Sequence, residues 1–347
     1  MSWYNKEGNC PQYYIWSKTR YIRNLSRIPF GACAENQQAA EACRSIDALL
    51  SQNGFRKEAV PTGRSLEVFA LGERQFVDGD FIDAEAERAL YLNEPCNLAV
   101  AIGGKNLITI QSVLSGRALA ESQNIAAGAE ELLDGEFEFA YSERLGYLSP
   151  DPTECGSGAE FRVALYLPAL ARSEQIERAR SLCQRAGVTL SPLSLHPHNT
   201  GDVFLVSKRA STHCCEADER CRLEAICDKL TQNEAAVSRM IFKDKSKLIY
   251  DKAWRAFGIL RYAREVDEAE FLSLLSDLRL ALTHNDGSSP LPPVSFVTLS
   301  SLLADGLNAS VATAVGSVCR SEEECRTARA KLISCRLQAL EAAEREP

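Results

Sequence analysis

Four basic side chains, Lys18, Arg20, Arg23 and Arg27, stand close together near the start of a chain whose formal net charge is −8. Ammonium and guanidinium groups so grouped can hold a phosphate through charge-assisted hydrogen bonds, or can form a solvated basic face. Gly156-Ser157-Gly158 could cradle a phosphate with its backbone N–H groups, although such a triplet alone is more often a plain turn. His196, His198 and His213, with Cys214, Cys215, Cys221 and Cys227, carry atoms that bind metals. Their spacings fit no standard zinc pattern, and a helix carrying buried thiols is the simpler reading.

The 347 residues suffice for about two domains at ~150 residues each. A hydrophobic share of 45% and a charged share of 25% are ordinary for a globular protein. No apolar run approaches the ~20 residues of a membrane helix. The first residues, MSWYNKEGNCPQYY, lack the apolar core of a signal peptide, so a cytoplasmic location with no membrane partner is expected. The negative charge argues against a general nucleic-acid partner. The 13 cysteines are odd in number and scattered, which suggests reduced thiols, mostly buried, rather than a disulfide framework.

The elements that must position these groups are partly legible. Leu98–Ile102 and 107–111 are apolar runs around Gly103-Gly104-Lys105-Asn106, a hairpin pattern. Phe161, Val163, Leu165 and Leu167 alternate with Arg162, Ala164 and Tyr166, as in a strand with one face buried. Residues 202–206 suit a further strand and 173–186 a helix closed by Gly187. Strands and helices without regular alternation indicate an α+β fold.

After about residue 250 the pattern becomes helical. Asp267 with Glu270 is a capping box, followed by Phe271, Leu274, Leu275, Leu278 and Leu282 on one face. Ser321 with Glu324 repeats it, followed by Cys325, Ala328, Leu332 and Cys335. A Ser/Pro-rich loop, 287–293, lies between. The expected division is 1–250 and 251–347. Stripes of this size on a small helical unit need the larger domain or a second subunit to cover them.

Three stretches in order resemble the ATP:guanido phosphotransferases, and most closely the bacterial protein-arginine kinases. Gly146-Tyr-Leu-Ser-Pro-Asp-Pro-Thr-Glu-Cys-Gly-Ser-Gly158, leading into Arg162 and Leu167-Pro168, is similar to the family's Gly-Tyr-Leu-Thr, Cys-Pro-Thr-Asn and Gly-Thr-Gly run. Ala256-Phe-Gly-Ile-Leu-Arg-Tyr-Ala-Arg264 and Leu275-Ser-Asp-Leu-Arg-Leu280 resemble its helical domain, and Trp16-Ser-Lys-Thr-Arg-Tyr-Ile-Arg-Asn-Leu25 its N-terminal Arg-rich motif. Residues 201–207 and 329–333 extend the likeness over nearly the whole chain. It implies a phosphagen-kinase catalytic-type domain, a mostly antiparallel sheet flanked by helices, with an all-helical dimerisation-type domain behind it.

The family's reaction moves the terminal phosphoryl group of ATP to a guanidinium nitrogen. It needs a carboxylate to deprotonate the guanidinium and arginines to neutralise the triphosphate. On this resemblance Gly104 stands at the family's Glu position, Lys105 reverses the charge of the next acid, and Asp151 stands at the Cys position. Cys155 is read as a small packed group rather than a substitute nucleophile. Of five phosphate-binding arginines only Arg20 is kept; Lys18, Thr109 and Glu160 replace three, and the fifth falls in the loop 192–201, which has no Arg. Ser17, Lys18, Arg20 and Arg162 remain as candidate nucleotide-binding residues. A regulatory phosphoarginine motif survives only in its second half, around Arg329.

The resemblance therefore implies ATP and Mg as cofactors, weakly held, and a homologue with an eroded site that acts as a scaffold or regulator. It implies a homodimer through the helical domain, with a zinc-binding activator-type protein, an active kinase or client proteins as partners. The alternative is an active protein-arginine kinase with a rearranged site, Asp151 or Glu154 as base and Arg162 replacing a lost arginine. A nucleotide or phosphoarginine sensor without turnover lies between the two.

Overall fold

Strand β1, Tyr14–Arg23, runs through the middle of an eight-stranded sheet, and every one of its residues is buried. The computed structural model describes residues 2–30, 37–84, 87–193, 201–209, 214–285, 290–314 and 321–345. After β1 come α1 (Gln37–Gln52), β2 (Arg56–Glu58), α2 (Leu66–Glu73), α3 (Gly79–Ile82) and β3 (Ala89–Leu92). The hairpin of β4 (Leu98–Ile102) and β5 (Ile108–Ser115) leads into α4 (Leu119–Asp134). Then follow β6 (Tyr141–Ser142), β7 (Gly146–Tyr147), β8 (Ala159–Tyr166), α5 (Pro168–Arg172), α6 (Ile176–Arg185), β9 (Thr189–Pro192) and β10 (Val203–Arg209). The rest is helical: α7 (Glu216–Tyr262), α8 (Glu268–Thr283), α9 (Phe296–Asp305), α10 (Asn308–Ala314) and α11 (Glu322–Arg345).

The strand order is β2-β3-β4-β5-β1-β8-β10-β9, antiparallel at every pairing. One face of the sheet, with Tyr21, Ile108, Ile110, Phe161 and Val163, joins a core with residues of α1, α4, α6 and the first part of α7. The other face, with Trp16, Val113, Ala164 and Tyr166, is covered by Trp3, Val68, Phe76, Phe81 and Ala304. β8 is thus buried on both faces, not on one as its alternation suggests. Alternating residue types report one apolar face; they do not report that a second layer covers the polar one.

α7 crosses the division expected at residue 250, and its one non-helical residue is Lys245 (φ −129°). Beyond it a second core gathers Ile249, Ala253, Phe257, Phe271, Leu275, Leu278, Leu299, Ile333 and Leu337. The Asp267 carboxylate caps α8 by accepting the Glu270 N–H at 2.7 Å, and Ser321 caps α11 through the Glu324 N–H at 3.2 Å. The stripe on α8 is covered inside the chain, with Leu278 only 1% exposed. On α11 the buried face is Arg329, Ala330, Ile333 and Leu337, and Cys335 is exposed. The face expected from Cys325, Ala328, Leu332 and Cys335 is rotated from the observed one by roughly one residue step, ~100°. A buried arginine is what displaced it.

The expectation of mostly buried thiols also fails. Among the described residues Cys183 and Cys227 are buried, whereas Cys10, Cys214, Cys215, Cys221 and Cys335 are exposed. The helix expected at 173–186 begins later, at Ile176, because Glu174 adopts a left-handed φ of 59° after α5.

Candidate active site

On β1 the even-numbered residues share one face, so Lys18 and Arg20 point the same way and Ser17 points the other. Across β8, Arg162 pairs in register with Lys18 and Glu160 with Arg20; across β5, Gln111 pairs with Arg20. One strand further, Arg209 stands opposite Glu160. The structure thus brings Lys18, Arg20 and Arg162 together at one end of the sheet face. Ser17 is not among them: its hydroxyl donates to Gly116 O at 2.7 Å and accepts from Ala118 N–H at 3.2 Å, fixing β1 to the entry of α4.

The cations in this cleft are already paired. Arg20, 3% exposed, has Asp78 at 2.5 Å, Asp80 at 3.3 Å, Glu154 at 3.4 Å and Glu160 at 3.5 Å. Arg162 pairs with Glu160 at 2.7 Å, and Arg209 lies 3.8 Å from both Glu154 and Glu160. Burial alone would raise Asp78, Glu154 and Glu160, but the surrounding cations, with the Asn106 amide at Glu154, hold all three below the usual carboxylate range. Sequence reading missed Asp78 and Asp80, which come from α2–α3 some sixty residues away. Asp78 stands at the N-cap of α3 yet makes no capping bond, because its carboxylate is turned to Arg20.

Lys18 differs. It is 1% exposed and donates to Gln75 O at 3.0 Å. Burial, helped by the charge of Arg162 and opposed by that of Asp78, pushes its ammonium down to about 7. A base whose folded value lies below its unfolded one is costly while protonated in both states. That cost is fully present below pH 7 and is relieved as pH rises towards the unfolded value near ~10.4. Between pH 7 and 10 the stability of the chain relative to a Lys18→Met variant should therefore rise, as urea unfolding of both would measure. A flat difference would mean that Lys18 titrates normally.

The β4–β5 turn closes the cleft on another side. Gly103 N–H donates to Leu107 O at 2.9 Å, and Gly104 has a φ of +126°, accessible to few residues with a side chain. A Cβ there would lie 3.2 Å from Asp80 O, so α3 abuts the turn. Lys105 reaches out of it to Asp151 at 2.6 Å and Glu154 at 3.7 Å. Asp151 also accepts the Thr153 N–H at 2.9 Å, and the Lys105 contact followed by the Thr153 bonds holds its carboxyl far below the usual range. Cys155 accepts from Ser149 N–H at 3.4 Å within the same loop. Asn106 donates to Glu154 at 3.0 Å and accepts from Asn24 at 2.9 Å, while Asn24 accepts the Leu107 N–H at 2.8 Å. Both candidate bases, Asp151 and Glu154, are therefore committed to neighbouring donors.

Residues 62–237 match the family model described as ATP:guanido phosphotransferase, C-terminal catalytic domain, about half of the chain. The chain belongs to the ATP:guanido phosphotransferase family. Residues 246–347 match the model of the protein-arginine kinase McsB C-terminal domain, and the interval between the two matches contains the break at Lys245. The chain is similar to the protein-arginine kinase of Pelotomaculum thermopropionicum, 27% identical over 294 residues and 81% of each chain. It is also similar to that of Brevibacillus brevis, 25% identical over 350 residues, 99% of this chain and 97% of the other. The fold likewise resembles lombricine kinase (TM-score 0.54, 17% identity, 67% of this chain and 68% of that one). A duplicated taurocyamine kinase of Schistosoma mansoni gives a TM-score of 0.56 at 19% identity, over 68% of this chain and 34% of its own.

Arg23 and Arg329, both in stretches singled out by the resemblance, are held by contacts within the chain. Arg23, on the opposite face of β1 from Arg20, donates to Glu130 at 2.6 and 2.8 Å and to Ser157 O at 3.0 Å, with its guanidinium 3.6 Å from the centre of the Tyr147 ring. The Gly156–Gly158 loop is packed on it: a Cβ at Gly158, where φ is +65°, would lie 2.5 Å from Arg23 Nη1. Arg27 is exposed, so the basic stretch has three separate destinations. Arg329 is 1% exposed and donates to Gly306 O at 2.7 Å, Val266 O at 2.9 Å and the Asn308 side chain. His196, His198 and His213 lie outside the described residues. Among the described residues no cluster of three or more His, Cys, Asp or Glu is placed to hold a metal, and no helix is long and apolar enough to cross a membrane.

Proposed function

We propose that this chain is a catalytically silent relative of the protein-arginine kinases, acting through its surfaces as a scaffold or regulator. One observation carries the reading: Arg20, the arginine matched to nucleotide phosphates, is surrounded by the chain's own Asp78, Asp80, Glu154 and Glu160. Kinases of this family use ATP and Mg, but these residues do not fit a Mg-nucleotide. A carboxylate about 4 Å from a phosphate costs roughly 4 kcal/mol at an effective dielectric near 20. The family's catalytic acid is matched by Gly104, where a φ of +126° and a Cβ position 3.2 Å from Asp80 O would strain any side chain.

The test is incubation with Mg-ATP and a generic protein substrate, with detection of phosphoarginine, beside calorimetry of nucleotide binding. No phosphoarginine is expected, and no binding as tight as about 1 μM, near −8 kcal/mol. Gly104→Glu should restore neither, and should destabilise the fold by about 1–3 kcal/mol through backbone strain. Acid-labile phosphate on the substrate, lost in an Asp151→Ala variant, would overturn the reading in favour of a rearranged active site.

The same reading includes a homodimer through the helical region, with an activator-type protein, an active kinase or client proteins as further partners. The stripe of α8 is covered within the chain and the buried face of α11 is another one, so the support lies on α7. There Met240, Leu248, Trp254, Ile259 and Tyr262 are all exposed, and aromatic and Met side chains are enriched at protein interfaces. Light scattering should show a dimer; a monomer at every concentration of a dilution series would overturn this part.

A further inference from the structure

Two of the four acids around Arg20, Asp78 and Asp80, lie a few residues from side chains that meet the C-terminal helices. At the end of α2 the Glu73 carboxylate accepts the Ala309 N–H at 3.0 Å and the Ser310 N–H at 2.7 Å, at the start of α10. The next residue, Arg74, pairs with Asp305 of α9 at 3.1 Å, and its carbonyl accepts from Trp3 Nε1 at 2.9 Å. Asp305 is itself held by Arg336 of α11 at 2.5 Å. Immediately afterwards the chain turns through Gln75, at a left-handed φ of 68°, into the cleft. Gln75 O meets Lys18, Asp78 and Asp80 meet Arg20, and the backbone of Asp80 lies against Gly104. From behind, Arg88 donates to the carbonyls of Phe81 at 2.5 Å, Ile82 at 3.0 Å and Ala84 at 3.1 Å.

Gln111 is an unmet polar group beside this cluster. It is buried on β5 directly across from Arg20, and neither atom of its amide has a partner among the described residues. A buried amide left wholly unpaired is costly, and a polar group entering beside Arg20 would relieve that cost.

We propose that residues 75–82 form an intramolecular plug in the cationic cleft, and that the C-terminal helices hold it there through Glu73 and Arg74. The two states differ in how fully Arg20 is neutralised. With the plug seated, Asp78 and Asp80 add to Glu154 and Glu160 around it; with the plug withdrawn, two of the four carboxylates leave, and Lys18 and Arg20 face a phosphate-bearing ligand while Arg162 keeps Glu160. Whatever displaces the plug must outbid its carboxylates, so apparent affinity falls by the fraction of molecules with the cleft open. By linkage, a change at α9–α10 that loosens Glu73 and Arg74 raises the affinity of the cleft, and an anion in the cleft loosens the helices. The device depends on the cleft geometry alone and not on whether the chain is silent.

Hydrogen exchange on the full chain, read in peptides covering 75–84 and 308–314, tests it. Glu73→Gln and Asp305→Asn should each speed exchange in 75–84 by about tenfold or more, the worth of one charge-assisted hydrogen bond. Titration with tripolyphosphate should show binding gained in the Asp78→Asn/Asp80→Asn double variant and, to a lesser degree, in Glu73→Gln. Faster exchange confined to 308–314 would overturn the coupling, and a double variant that binds no better than the unaltered chain would overturn the plug. If Glu73→Gln unfolds throughout, Arg74→Gln and Asp305→Asn decide the matter by the same readouts. Failure of the silent-kinase reading shows separately, as phosphoarginine formed by the unaltered chain.

Discussion

Replacing Arg20 with alanine should destabilise the fold by about 3–5 kcal/mol at pH 7, the usual cost of removing one partner from a buried ion pair. The reason is arithmetic of charge: Asp78, Asp80, Glu154 and Glu160 all lie within 3.5 Å of the guanidinium, and the other cations cannot neutralise them alone. An arginine reserved for a ligand behaves in the opposite way, since deleting it relieves an unpaired charge and commonly leaves stability unchanged or higher. The pH dependence adds a second check. Asp78, Glu154 and Glu160 are held below their ordinary values in the folded state, so the stability they contribute is present above pH ~5 and lost as pH falls. The deficit of Arg20→Ala should therefore shrink steadily between pH 6 and pH 3. Urea unfolding at several pH values measures it, and Asp78→Asn placed on top of Arg20→Ala should recover part of the loss. A variant as stable as the unaltered chain at pH 7 would show that the cluster is not what Arg20 serves.

A loss of about 3 kcal/mol is likewise expected for Arg329→Ala, by the cost of leaving buried carbonyls without donors. The guanidinium joins the loop before α8, the end of α9 and the start of α10, through Val266 O, Gly306 O and the Asn308 side chain. Glu268 lies 3.8 Å from it. Lysine cannot reproduce this fork of donors, so Arg329→Lys should recover less than half of the loss. Thermal unfolding of the two variants, with hydrogen exchange read across α8–α11, provides the measurement. If Arg329 were instead kept for phosphoarginine, alanine would abolish that binding while leaving the melting temperature in place.

The plug and the helical latch give the two arginines a common logic. Each is satisfied by groups of this chain itself. The substitution is cheap in sequence, since a carboxylate, like a phosphate, offers a guanidinium two anionic oxygens for paired hydrogen bonds. It is also specific in space: the segment that carries Asp78 and Asp80 follows directly on Glu73 and Arg74, which meet α10 and α9.

Local signals were legible without coordinates. The β4–β5 hairpin and the caps at Asp267 and Ser321 depend on residues a few positions apart, and the structure has them where the spacing put them. The resemblance carried the fold class, because motifs in the right order constrain topology far more than composition does. β1 was not legible as a strand, since Lys18, Arg20 and Arg23 interrupt its apolar character; only burial on both faces makes those charges compatible with the centre of a sheet. Strand geometry then separated Ser17 from Lys18, though they are adjacent in the chain and were grouped together. On α11 the inward face could not be chosen from residue types alone, because the buried position is an arginine paired with distant carbonyls. The filling of the cleft was hidden for the same reason: Asp78, Asp80, Glu154 and Glu160 meet Arg20 from separate parts of the chain. The sequence by itself determined which residue types could meet an anion; tertiary structure decided that the anions are this chain's own, because Coulombic pairing depends on distance in space and not on separation along the chain.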